Sequence, residues 1–308
     1  MAQITAALVK KLREKTGAGM MDCKRALSEN DGALDASVDW LRTKGLAAAA
    51  KKAGRAASEG LIGIAVKGSM GALVEVNAET DFVARNVIFQ SVVASIAETA
   101  LSAGSDINKL KTAIYPGTSR TVEEEITHQV ATIGENMILR RVETLGIETG
   151  VLASYVHGSL APGLGKIGVI VGLESTGQKD KLLELGKQLA MHIAATKPMA
   201  ISKNDLDPEA IERERSVLAD QARESGKPEE IIEKMLEGRL RKFFEEVCLV
   251  DQTFVIDGET KVSTILKNTS KDIGSEIKLV GFKLLVLGEG LEKKEEDFAA
   301  EVAAVAGV

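Results

Sequence analysis

Nucleophilic or metal chemistry would have to come from few side chains here. The histidines are His128, His157 and His192, and none stands at metal-ligand spacing from another ligand. His192 lies in an apolar helical run, Ala190-Met191-His192-Ile193, and reads as a packed histidine. His157 ends an apolar stretch beside Gly158, where a structural role and a partner contact are equally open. Cys23 and Cys248 are far apart and in no ligand-like spacing, so a reduced cytoplasmic protein is the simplest account. No nucleophile is paired with a base. Thr16-Gly17-Ala18-Gly19 is no phosphate loop, because it lacks the Gly-Lys-Ser/Thr ending and no strand precedes it. The expectation is a protein that is not an enzyme, holds no metal and no cofactor, and works by presenting surfaces.

The stretch best suited to such work is Thr80-Asp81-Phe82-Val83-Ala84-Arg85-Asn86. It follows an apolar strand, Ala72 to Val76, and precedes an amphipathic run, Val87 to Leu101. A Thr-Asp pair at that junction predicts a helix N-cap, with side-chain oxygens accepting from first-turn N–H groups. Phe82 then falls one residue inside the turn, in a chain only 3% aromatic. Two readings stay open: Phe82 folds back as a hydrophobic staple, or it projects as a wedge for a partner with Asp81 as its polar neighbour.

The elements that must position this stretch follow from periodicity. Residues 4–45 read as three short helices. Ile4, Leu8, Val9 and Leu12 mark the first, after a Thr5 cap; Met20 to Leu27 the second; Leu34, Val38 and Leu41 the third, with Gly45 as its stop. So small a unit buries a modest core and reads as a partner-binding module spanning 1–45. Met20 and Met21 either fill this bundle or make an adaptable apolar surface. Residues 46–58, rich in Ala, Lys and Gly, read as a basic linker with helical tendency. From Leu61 the period becomes two. Strands around Leu61–Val66 and Leu73–Val76, the helix with Phe89, Val92, Val93, Ile96 and Leu101, a helix capped by Thr121 and Glu124, and a strand from Met137 to Leu145 make one unit, 59–146. Gly150 to Leu160 echoes Gly60 to Met70, Ile167 to Glu174 echoes Gly71 to Glu75, and Glu276 to Leu287 echoes the strand after Asn136. A second unit is therefore expected, its first part at 147–200 and its last at 247–290. Between them, 201–246 reads as a helical hairpin: Asp207-Pro208 opens one helix and Pro228 the next, joined by Ser225-Gly226-Lys227-Pro228. Residues 291–308, with Phe298 to Val305, read as a C-terminal helix. The fold class is α+β: two duplicated small antiparallel-sheet/helix subdomains behind a three-helix module.

Composition sets outer bounds. With 308 residues, 44% hydrophobic, the chain can bury a sizeable core in more than one domain. Net charge is −6, yet residues 1–55 carry about +5. Lys10, Lys11 and Arg13 interrupt any signal-like apolar region, and no apolar run approaches the roughly 18 residues of a membrane span.

Several stretches now converge on one resemblance. Leu12-Arg13-Glu14-Lys15-Thr16-Gly17-Ala18-Gly19-Met20-Met21-Asp22-Cys23-Lys24 resembles the N-terminal signature of the bacterial elongation factor Ts family. Glu75-Val76-Asn77 with Thr80-Asp81-Phe82-Val83-Ala84 resembles its second signature. Ile133-Gly134-Glu135-Asn136, Ala190-Met191-His192 and Met235 to Arg241 match further stretches, and the likeness runs from Ala2 to Asp297-Phe298-Ala299-Ala300-Glu301. The departures are a longer turn, Ala161 to Lys166, and a longer segment around Leu266 to Ser275, both read as loops. The resemblance implies a UBA-like three-helix module and a cytoplasmic guanine-nucleotide exchange factor of protein biosynthesis. Its implied partner is elongation factor Tu, bound first with GDP and then nucleotide-free, with no nucleotide, membrane or specific nucleic acid bound directly. It implies that Thr80, Asp81, Phe82 and Val83 disturb the partner's magnesium site. It carries a contact with the partner to Met20 and Met21; Gly134, Glu135 and Asn136, in a matching stretch, and His157, at its strand end, are expected as further secondary contacts. Residues alone leave open a dimer or a two-to-two complex. The competing class is an RNA- or ribosome-associated adaptor using the basic N-terminal region.

Overall fold

Two glycines report the internal repeat most sharply. Gly60 and Gly150 have φ of +124° and +115°, and a Cβ on either would collide with a carbonyl oxygen of the neighbouring strand, Val76 in one case and Leu173 in the other. Both therefore stand where only glycine fits, and they place Val76 and Leu173 at equivalent positions. The computed structural model describes residues 4–223 and 229–291.

The first unit opens with β1 (Glu59–Lys67) and β2 (Met70–Ala78), an antiparallel hairpin. It continues through α4 (Asp81–Ala84), α5 (Val87–Ala103), α6 (Ile107–Thr112) and α7 (Val122–Ile133) to β3 (Met137–Gly146), which pairs with β2. The second unit runs β4 (Val151–His157), β5 (Leu164–Gly165), β6 (Ile167–Glu174), α8 (Lys179–Thr196), then α11 (Val262–Ile273) and β7 (Lys278–Val286). Between α8 and α11 come α9 (Pro208–Arg223) and α10 (Glu229–Val247). The sheet orders are β3-β2-β1-β5 and β4-β6-β7. The register slips between Glu75 and Val76 in one sheet and between Gly172 and Leu173 in the other, so even the bulge is duplicated.

Strand alternation buries both faces. Leu61, Val74 and Val76 join α5 and α7 in one core, and Val169, Val171 and Leu173 join α8 in another. The alternate residues Ile62, Leu73, Leu152 and Ile170 meet in a third core between the sheets. The turn Ala161 to Lys166 laces the sheets together: β5 pairs with β1, and the Lys166 carbonyl accepts from Leu287 N at 2.9 Å.

Among the described residues the expected elements form, with two differences. The third helix does not stop at Gly45; α3 runs Leu34–Lys52, so the helical tendency of the linker is expressed over residues 46–52 as a continuation of that helix. One interior glycine costs only about 1 kcal/mol, while Ala47 to Ala50 are strong helix formers and Gly45 lets α3 approach Ala131 of α7 closely. Second, Leu266 to Ser275 is not loop but largely α11, the counterpart of α7: each 12-residue helix follows an antiparallel bridge, Ile114–Thr121 or Thr253–Lys261, and ends at a left-handed glycine, Gly134 or Gly274. The first two helices, α1 (Ala6–Thr16) and α2 (Met20–Glu29), pack with α3 around Val9, Leu12, Cys23 and Leu27. At the base of the hairpin, Ala200, Leu206 and Cys248 are buried with Phe243, Phe244 and Ile211 against them. The 225–228 joint and the C-terminal helix expected at 298–305 lie outside the described residues. No helix among the described residues is long and apolar enough to cross a membrane.

Candidate functional site: an aromatic turn on a braced corner

The turn after β2 sorts its side chains by direction. Val83 and Ala84 are buried in the first core, whereas Phe82 is 79% exposed. The staple reading of Phe82 is thus overturned. With successive helical residues about 100° apart, seating Val83 inward turns Phe82 outward. Val87 and Ile88, 77% and 50% exposed, extend apolar surface onto the start of α5. Sequence reasoning passed over these two; the signal was that they fall off the buried stripe of Phe89, Val92, Val93 and Ile96. Asp81 is exposed and 3.6 Å from Arg85, a weak surface pair.

Thr80 occupies the N-cap position, but its side chain makes no cap hydrogen bond. The expected side-chain cap is replaced by a longer-range tie: Thr80 Oγ1 donates to Glu135 Oε1 at 2.8 Å, and Thr80 N donates to Glu135 Oε2 at 3.0 Å. Next to it, Asn136 N donates to Glu79 Oε1 at 2.6 Å, and Asn136 Nδ2 donates to the Arg55 carbonyl at 2.8 Å. Gly134 makes this possible; its φ of +95° ends α7 and swings Glu135 and Asn136 toward the end of β2. Asn136 is itself buried. On the exit side, Gln90 Nε2 donates to the Ala84 carbonyl at 3.0 Å, and Asn86 caps α5 through Ile88 N.

The same sheet end holds a buried carboxylate. Glu75 is wholly buried and accepts from Asn77 Nδ2, Gly288 N, Arg140 Nη1 and Arg141 Nε. Burial alone would raise its pKa, but the Gly288 N–H, Arg141 and Asn77 outweigh that and hold it below the ordinary carboxylate range. Arg140 and Arg141 also donate to the Glu289 and Val286 carbonyls. The cluster staples β2 and β3 of one sheet to the end of β7 in the other.

The remaining candidates lie elsewhere. Met20 and Met21, 47% and 71% exposed, open α2 and present surface instead of filling the bundle. His157 is exposed and pairs through Nδ1 with the Tyr155 hydroxyl at 3.2 Å. His192 is packed as expected: its Nδ1 accepts from Val255 N and its Nε2 bonds Gln252 Oε1 at 2.9 Å. Burial lowers its pKa, against a smaller opposing effect of Gln252. Cys23 and Cys248 are buried free thiols. No group of His, Cys, Asp and Glu among the described residues could hold a metal ion.

Comparison with known proteins bears directly on this arrangement. The family model described as Elongation factor TS matches residues 79–289, a span holding the aromatic turn with Glu79, Glu135 and Asn136. The chain belongs to the elongation factor Ts family. It is 61% identical over 307 residues to the elongation factor Ts of Rhodospirillum centenum, covering 100% of both chains. It is 62% identical over 305 residues to that of Rhodospirillum rubrum, covering 99% of each. The elongation factor Ts of Gluconobacter oxydans is 57% identical over 307 residues, with 100% of this chain and 99% of that protein covered.

Proposed function

We propose that this member of the elongation factor Ts family catalyses nucleotide exchange on elongation factor Tu during translation, with Phe82 as the element that disturbs the partner's magnesium site. The observation that carries this reading is the direction of Phe82: a large aromatic held in solvent, on a turn anchored at both ends and at its buried face. Exposing such a ring forgoes roughly 2–4 kcal/mol of burial, taking ~150 Å² at ~25 cal/mol per Å². That free energy becomes available when a partner's pocket receives the ring.

Magnitudes then set what the rest of the molecule must do. A nucleotide bound at nanomolar affinity carries about 12 kcal/mol. Lowering that affinity by ~10⁴ needs ~5.5 kcal/mol of coupling. By linkage the nucleotide weakens the factor's grip by the same amount. Phe82 alone falls short, so the exposed methionines of α2, the apolar start of α5 and His157 are proposed to share the interface. Magnesium bridges phosphate oxygens, so shifting its surroundings weakens GDP without any contact to the base. Asp81 orients the ring's approach or bears charge beside it. Some of the positive charge of the N-terminal region is paired within the chain, since Lys15, Arg42 and Arg55 sit beside Asp35, Glu124 and Glu79. The direct test is release of a fluorescent GDP from elongation factor Tu followed by stopped flow. Acceleration that saturates with this protein is expected; release no faster than the spontaneous rate would overturn the proposal.

A further inference from the structure

A four-residue helix cannot hold its own shape, because helix nucleation is unfavourable and too few bonds follow to offset it. The geometry of α4 must therefore be set by what grips its ends. Its exit is fixed by Gln90 and Asn86, and its buried face by Val83 and Ala84. Its entry depends on Thr80, and both oxygens of Glu135 are committed there, one to the backbone N–H and one to the hydroxyl. An exposed-looking glutamate after a helix ordinarily reads as a charge available to a partner. Here its acceptor capacity faces inward.

The second unit gives an independent view of the same position. Superposing the repeats through Gly60 and Gly150 makes Ala78 equivalent to Ser175 and Glu79 to Thr176. The left-handed glycines Gly134 and Gly274 make Glu135 equivalent to Ser275. Ser275 Oγ lies 3.0 Å from both Ser175 Oγ and Thr176 Oγ1. So in each copy the residue after the helix-ending glycine ties down the exit of the middle strand. Only the first copy follows that exit with a projecting aromatic; the second continues Gly177-Gln178-Lys179 into α8. The tie is common to both copies, and a partner-facing ring is not.

We infer that Glu135 is a positioning residue, acting through Thr80 to hold α4 in the geometry that turns Phe82 outward, rather than a contact for the partner. This rests on the exchange function proposed above. A small displacement of a positioned group costs heavily in rate, so Glu135→Ala lowers the saturating rate of GDP release by roughly tenfold or more, leaving the half-saturating concentration nearly unchanged. Glu135→Gln, whose amide oxygen can still accept from Thr80 N, restores most of the rate. Added to Phe82→Ala, Glu135→Ala has no further effect, because the group it positions is gone. In the free protein, hydrogen exchange at the Thr80 amide quickens in Glu135→Ala and not in Glu135→Gln. Equal damage from Ala and Gln would show that the carboxylate charge itself meets the partner and overturn the inference. Unchanged amide protection in Glu135→Ala would overturn it independently of any partner. Full activity of Phe82→Ala, by contrast, would remove the ring's proposed role and leave exchange itself standing, while the amide measurement still decides the clamp.

Discussion

Phe82 and Val83 are neighbours with opposite duties, and the contrast gives the sharpest residue-scale expectation. Truncating Phe82, 79% exposed, removes no packing, so Phe82→Ala should shift unfolding free energy by no more than about 0.5 kcal/mol. Val83 is 5% exposed in the first core, so Val83→Ala should cost about 1–3 kcal/mol in urea denaturation. Comparable costs at the two positions would mean the turn is seated differently. The ring's two readings could not be separated from the local pattern, because one residue of rotation interchanges core and solvent. What decides is the pair Val83-Ala84 packing beneath, a tertiary fact. The tie from Thr80 to Glu135 was equally illegible: the two residues are 55 apart, and a Thr-Asp pair at a helix start looks like an ordinary local cap.

At the scale of elements, the repeat is the organising fact, and it was readable because both copies keep glycine where a strand neighbour's carbonyl crowds the Cβ. Gly60→Ala or Gly150→Ala must displace that strand or strain a positive φ. Either should destabilise by about 1–3 kcal/mol or more, measured by thermal or urea unfolding. Gly54→Ala, with nothing near its Cβ, is the neutral control; equal costs at all three sites would contradict the steric account. The strands, α5 and the Thr121-Glu124 capping box, which is fully formed, were legible because their signals are local. Helix α3 overran Gly45 because packing on α7 outweighs one glycine. Helix α11 was missed although Val262, Ile265, Leu266 and Ile273 keep helical spacing, because Lys, Asn, Thr and Ser dilute that short stripe; its equivalence to α7 makes it plain.

Across the whole molecule, the Glu75 cluster is what joins the sheet carrying the aromatic turn to the sheet of the second unit. Its carboxyl is held below the ordinary range in the folded state, whereas in the unfolded chain it titrates near the ordinary ~4.3. Its contribution is therefore complete above that value and is lost as pH falls through the unfolded and then the folded pKa. The urea midpoint should decline on acidification from about pH 6 toward pH 3, and Glu75→Gln should flatten part of that decline. At neutral pH the same variant should cost about 3 kcal/mol, since two arginines lose their shared counter-charge. A Glu75→Gln protein as stable as wild type at neutral pH, with an unaltered acid profile, would show that the staple contributes nothing.

The central claim is that a solvent-facing ring on a rigid turn provides the push that loosens another protein's nucleotide. Stopped-flow release of fluorescent GDP from elongation factor Tu, comparing wild type with Phe82→Ala at saturating concentration, tests it most directly. The account predicts a fall of one to two orders of magnitude in the catalysed rate, about 1.4–2.8 kcal/mol of lost coupling, from a variant as stable as its parent. Wild-type release by Phe82→Ala would contradict it.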